Sequence, residues 1–149
     1  MHKPIELSHI QSLANNREFP CQIHIADANI KQVWTILEPK FDEILRRGIH
    51  METKTSVYEL MRSGRLKLWL NIDTFVMCCV ENLNVGRVLN IAFAFGNKHH
   101  ALEIVEKSLK IYAKKMGCKY LYICGRLGWK KFLKKNLFRE KITMLLKEI

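Results

Sequence analysis

Gly117-Cys118-Lys119-Tyr120-Leu121-Tyr122-Ile123-Cys124-Gly125-Arg126-Leu127-Gly128-Trp129, with the run that follows it to Ile149, decides the fold of this chain. It reads as a strand over Lys119–Cys124, a glycine turn, a basic helix from about Leu127 to Asn136 and a closing strand over Lys141–Lys147. Gly125 and Gly128 permit the tight turn, and Trp129 supplies a large apolar plug for a core. Arg126 stands at the exit of a strand and the entry of a helix. That is the carboxyl edge of a sheet, where clefts of α/β proteins open and where a guanidinium can grip a phosphate or carboxylate with two parallel bonds.

Upstream of this unit lies a long helix. Asn97 suits its N-cap, Leu102, Val105, Leu109, Tyr112, Ala113 and Met116 form its apolar stripe, and Gly117 closes it. The preceding segment changes period from 3.6 to two. Leu66, Leu68, Leu70 and Ile72 alternate with Lys67, Trp69 and Asn71, as in a half-buried strand. Asp73-Thr74 and Asn84-Val85-Gly86 mark turns into further strands over Phe75–Val80 and Val88–Phe95. Ile91-Ala92-Phe93-Ala94-Phe95 is apolar at every position, the pattern of a strand buried on both faces. Earlier still, Ser56-Val57-Tyr58-Glu59 fits a capping box opening a short helix that stops at Gly64. Before it, Asp27 caps a helix with apolar residues Ile30, Val33, Trp34, Leu37, Phe41, Ile44 and Leu45, which Gly48 ends. Pro39 predicts a kink or break in that helix. Pro20–Ile25 alternates as a short first strand. The order specifies one α/β (α+β) domain over residues 1–149, helices packed on a mixed sheet.

Composition narrows the class. No run of about 18 apolar residues is present, so no membrane span and no membrane partner are expected, and Met1–Glu6 lack the apolar core of a secretion signal. The five cysteines, Cys21, Cys78, Cys79, Cys118 and Cys124, are odd in number and form no C-x-x-C pair. They read as buried free thiols in a reducing cytoplasm, and no metal site is expected. The net charge of +11 is placed unevenly: residues 1–106 carry 12 basic and 12 acidic residues, residues 107–149 carry 13 and 2. Such asymmetry suits an anionic partner, or a solvated lysine face.

The element order and the last fifty residues resemble the GNAT acyltransferase fold, and among its members the small acetyltransferase-like proteins of tailed bacteriophages. The likeness rests on Glu38-Pro39, Ser63-Gly64, Leu68-Trp69, Gly117-Cys118, Gly125-Arg126-Leu127-Gly128-Trp129, Leu133 and Lys147. It implies a mainly antiparallel central sheet with helices on both faces, and acetyl-CoA as the cofactor of an N-acetyltransferase. It further implies host-cytoplasmic localisation, or incorporation in a virion as a catalytically silent internal or assembly protein. In that family a glycine-rich loop between the central strand and the long helix holds the cofactor pyrophosphate on backbone amides. The matching loop here is Phe95-Gly96-Asn97-Lys98-His99-His100-Ala101, which assigns cofactor binding to Gly96, Asn97 and Lys98, with Arg126 facing the same cleft. Where many members carry a tyrosine that protonates the departing thiolate, this chain has Leu133, which is no acid. Tyr112, Tyr120 and Tyr122 are the available replacements.

Two further constellations stand out. His99 and His100 are adjacent, about 100° apart on a helix, so they do not form an i,i+4 ligand pair. One of them suits a general base, and both suit an exposed first turn. Lys130, Lys131, Lys134 and Lys135 form a basic stripe that fits phage structural proteins or a nucleic-acid backbone, without any motif for reading sequence.

Overall fold

A computed structural model of the chain describes residues 23–24, 30–47, 52–71, 74–123, 131, 133–135 and 138. Its elements, in order, are β1 (Ile23–His24), α1 (Ile30–Arg47), α2 (Lys54–Arg62), β2 (Lys67–Asn71), β3 (Thr74–Leu83) and β4 (Gly86–Phe95). Next comes α3 (Lys98–Ile104), which passes through a π-helical segment (Val105–Leu109) into α4 (Lys110–Lys115). These three pieces are the expected long helix, and β5 (Tyr120–Ile123) follows. The sheet has the order β1-β2-β3-β4-β5, antiparallel up to β4 and parallel between β4 and β5. The α/β architecture with a mixed, mainly antiparallel sheet is therefore the one expected. Asp27, Gly48 and the closing strand over Lys141–Lys147 lie outside the described residues. Of the late basic helix, Lys131 and Leu133–Lys135 are described and are helical.

Each face of the sheet carries its own core. On one, α1 buries Ile30, Val33, Leu37 and Phe41 with Val57 and Met61 of α2 against Leu68, Leu70, Phe75, Met77 and Phe93. This core is aromatic: the Phe41 ring lies 5.3 Å edge-on from Phe93, 5.9 Å from Phe75 and 5.4 Å from Trp34. On the other face the long helix lays Ala101, Ile104, Val105, Leu109 and Ala113 over Trp69, Val76, Cys78, Leu89 and Ile91. Phe138 packs against this second core, and its amide donates to Leu133 O at 3.2 Å. Trp69 corrects the half-buried reading of β2. It is fully buried, with its ring 4.8 Å from Tyr112, so the strand is covered on both faces.

Three local expectations change. The α2 cap is Thr53, not Ser56: Thr53 Oγ1 accepts from the Ser56 amide at 3.1 Å while Ser56 Oγ accepts from the Thr53 amide at 2.8 Å. The box is real but sits three residues earlier, because a serine serves at the far corner where Glu or Gln is usual. Helix α1 does not break at Pro39. The carbonyl deprived of a donor belongs to Thr35, and Thr35 and Pro39 are both exposed, so water can replace the lost bond while Leu37 and Phe41 pin the helix. The thiols are not uniformly buried. Cys78 is, Cys79 and Cys118 are half-buried, and Cys21 and Cys124 lie outside the described residues.

The long helix ends as expected. Gly117 adopts φ +74°, its amide donates to Lys114 O at 3.1 Å, and the Cys118 amide donates to Ala113 O at 2.8 Å. That is a left-handed glycine stop satisfying the last carbonyls. The π-helical segment was not legible in the sequence. It leaves Ser108 Oγ fully buried without a hydrogen-bond partner.

Candidate functional site

The site begins with one extra residue. Met77 of β3 pairs with Phe93 and Cys78 pairs with Ile91, so Ala92 has no counterpart and forms a β-bulge in β4. Its effect is visible in the packing. Before the bulge Leu89 and Ile91 face the long-helix core; after it Phe93 and Phe95 face the aromatic core. Ile91 is also the last residue of β4 paired with β5, opposite Ile123. Strand β4 continues four residues further, to Phe95, and among the described residues this stretch has no strand partner on the β5 side. A bulge bends its strand and sharpens the local twist. Among the described residues the β4–β5 ladder ends at this point, the fork, and β4 runs on past it to Phe95.

The fork leads to the loop assigned to the cofactor. Gly96 has φ +112°, a conformation that favours glycine, and is exposed. Asn97 is the N-cap, as expected, and its Oδ1 accepts from the His99 amide at 2.8 Å and the His100 amide at 3.3 Å. Two helix amides therefore converge on one acceptor point, the geometry that an anion's oxygen takes at a helix N-terminus. The loop is anchored from below. Thr74, almost fully buried at the start of β3, accepts from the Asn97 amide at 3.0 Å. Lys98 is exposed beside this point. The structure thus brings Gly96, Asn97 and Lys98 together at the end of the forked strand; Arg126 and Lys130 lie outside the described residues.

Sequence reasoning missed Thr74, the bulge and Lys40. Lys40 is buried on α1, with Nζ 5.5 Å from the centroid of Phe95, whose ring stacks on Phe75 at 5.6 Å. A buried lysine at a helix position between Leu37 and Phe41 is the one signal that could have found it.

Below the fork, β3, β4 and β5 carry a polar row on the α1/α2 face. Asn90 pairs with Cys79 on one side and with Tyr122 on the other. Glu81 Oε1 accepts from Asn90 Nδ2 at 3.0 Å and from Cys79 Sγ at 3.5 Å. Burial, and then the Glu81 carboxylate, push the Cys79 thiol up to about 11. Burial also raises Cys78 well above the ordinary thiol range and, to a lesser degree, Cys118. All three are thiols at neutral pH, which removes them as nucleophiles. Of the candidate tyrosines, Tyr122 is half-buried and one residue short of the fork. Tyr112 packs on Trp69 in the opposite core, and Tyr120 is 57% exposed at the far end of β5. Among the described residues no group of three or more His, Cys, Asp or Glu side chains is placed to hold a metal ion, and no helix is long and apolar enough to cross a membrane.

No protein-family model matches the chain, and no curated protein matches it in sequence. Solved structures do. A predicted acetyltransferase from Clostridium acetobutylicum, determined with acetyl-CoA, superposes with a TM-score of 0.60 over 85% of this chain and 94% of its own, at 12% identity. A ribosomal-protein-alanine N-acetyltransferase from Brucella melitensis gives 0.59 over 86% and 99%, at 10% identity. An aminoglycoside acetyltransferase from an uncultured soil metagenomic sample, in complex with sisomicin, gives 0.57 over 86% and 95%, at 6% identity. At these identities the likeness is one of architecture, and it agrees with the mixed, mainly antiparallel sheet: the chain has the GNAT-like fold of the acetyltransferases.

Proposed function

We propose that the protein is an acyl-CoA-dependent N-acyltransferase, with acetyl-CoA as donor and an amine as acceptor. The observation that carries this reading is the bulge at Ala92, which bends β4 five residues before the helix cap Asn97. The residues present fit the cofactor's two polar parts. Gly96, Asn97 and Lys98 would hold the pyrophosphate, its oxygen taking the acceptor point that Asn97 Oδ1 fills for the His99 and His100 amides. Arg126 is assigned to the same anion on the sequence reading alone. The edge of Ala92–Phe95 would pair with the amide-bearing arm of the cofactor, much as a strand would. When bound, acetyl-CoA supplies the activated acyl group as a thioester. The chain's own part is positioning and proton management. Tyr122, beside the fork, takes the role of proton donor that Leu133 cannot fill. That one neighbour is named an N-acetyltransferase supports an amine as the acceptor class.

The test is direct. A stoichiometric heat of binding by calorimetry is expected, with a rise in thermal midpoint of roughly 5–10 °C at a hundred times Kd. No heat and no shift at millimolar acetyl-CoA would overturn the reading. Binding without acyl transfer to any amine in a panel, read as free CoA thiol, would instead favour a catalytically silent protein of the same fold. One observation favours that second reading: the Asn97 side chain already occupies the amides that a pyrophosphate needs.

A further inference from the structure

We infer that the long-helix side of the molecule is a docking surface for the phosphate backbone of a nucleic acid, bound without sequence reading. The inference rests on where the fold puts charge. Lys107, Lys110, Ile111, Lys114 and Lys115 recur at the three- and four-residue spacing of one helix face, opposite the buried stripe of Ala101, Ile104, Val105, Leu109 and Ala113, and all five are exposed. Towards the N-terminal half two of these charges are balanced, since Glu103 pairs with Lys107 at 3.1 Å and Glu106 pairs with Lys110. Beyond Glu106 the chain has no acidic residue until Glu140. The C-terminal end of the helix is therefore where positive charge accumulates.

The fold gathers more of it there. Arg87 at the base of β4 donates through Nη1 to Met116 O at 2.9 Å, and the Lys119 amide donates to Arg87 O at 2.9 Å. Arg87, Lys114, Lys115 and Lys119 are thus clustered around the helix stop, all exposed. Lys131, Lys134 and Lys135, also exposed, belong to the segment whose Phe138 packs on the same side of the sheet. On the opposite side, α1 and α2 carry Glu38 and Asp42 around Lys54, and Glu59 beside Arg62. A sequence pI near 9.6 with lysines gathered on one helix face is the electrostatic footprint of a backbone binder. Lysine in place of arginine points to phosphate contacts made as point charges, with no bidentate reading of bases.

The experiment compares two variants of equal net charge by fluorescence anisotropy, using a labelled 20-base-pair duplex and the same sequence as a single strand. Lys114→Glu with Lys119→Glu alters the surface, and Lys31→Glu with Arg46→Glu alters exposed positions on α1. Each pair lowers the formal charge from +11 to +7. The unaltered protein is expected to bind at low salt and to lose about a hundredfold in affinity between 50 and 200 mM salt, as about four phosphate contacts require. Lys114→Glu with Lys119→Glu is expected to lose tenfold or more and to flatten the salt slope by about two, the α1 pair less than twofold, with thermal midpoints unchanged. Three outcomes would overturn the inference: no binding at 50 mM salt, equal losses in the two variants, or binding to phosphatidylserine vesicles in the absence of any oligonucleotide binding.

Discussion

The two faces of the sheet are built differently, and β4 serves both. The α1/α2 face is filled by rings, with Phe41, Phe75 and Phe93 at its centre and acidic residues on the helices outside. The long-helix face is filled by smaller side chains around Trp69, with lysines outside. A regular strand would send alternate residues to each face throughout its length. The bulge lets Leu89 and Ile91 enter one core and Phe93 and Phe95 the other, although all four numbers are odd. The difference teaches that the extra residue is a packing device and a site device at once. It supplies the aromatic core with two rings and bends the strand just before the Asn97 cap.

Deleting Ala92 tests the device at its origin. The ladder would become regular, with Ile91 still opposite Cys78 and Phe93 still opposite Met77, so Phe93 and Phe95 keep the aromatic core and Ala94 the long-helix core. What is lost is the local bend of β4, so a cooperative thermal transition is expected to survive while acetyl-CoA binding falls tenfold or more by calorimetry. Unchanged binding would mean that the bend at Ala92 does not shape the site.

Truncating the ring at the centre of one face comes next. Phe41 is fully buried and meets three other rings, so Phe41→Ala is expected to cost about 3–5 kcal/mol, read from denaturant midpoints. The matching change on the other face, Ser108→Ala, is expected to be neutral or stabilising by up to about 1 kcal/mol. It removes a buried hydroxyl that has no hydrogen-bond partner. A large cost for Ser108→Ala would mean that the hydroxyl is satisfied in solution, by an internal water.

Cys78 and Cys79 sharpen the contrast, since neighbours on a strand face opposite ways. Cys79, half-buried beside Glu81 on the α1/α2 face, has its thiol pushed up to about 11, while Cys78 is fully buried on the other. Alkylation of the native protein is expected to reach Cys79 only as pH rises from 9 towards 11, and to leave Cys78 unmodified, as read by peptide mass spectrometry. The linkage has a definite sign. A folded-state value above the ordinary thiol value of 9.0 means that the folded state keeps the proton longer. The associated stability is whole below about pH 9 and is lost as pH climbs through about 11.

Much of this was legible in the residues. Asn97 and Gly117 announced both ends of the long helix because cap chemistry is local. The meander of β2, β3 and β4 followed from period and turn residues. The bulge was hidden for a physical reason: Ile91–Phe95 is apolar at every position, so no alternation exists from which a skipped residue could be read. Trp69 was misplaced because Lys67 and Asn71 beside it suggest an exposed face, and only the long helix covers it. Thr74 could not be connected to Asn97 from sequence, since the clamp spans 23 residues and depends on Phe75 pairing with Phe95.

The smallest expected change in stability tests the site most closely. Asn97→Gly removes the side chain that caps the His99 and His100 amides but leaves a residue tolerated at an N-cap. The cost to stability is expected to be only a few tenths of a kcal/mol. If the capped amides are the anion site, the exchange frees their convergent point, and acetyl-CoA is expected to bind several-fold more tightly by calorimetry. Asn97→Ala separates cap loss from site opening, because it also removes the cap but costs about 0.5–2 kcal/mol and adds a Cβ where the backbone must approach the anion. Tighter binding in the glycine variant than in the alanine variant is the expected order. Equal or weaker binding in both would mean that Asn97 itself contacts the cofactor, and that the helix start recognises its ligand through a side chain and not through freed backbone amides.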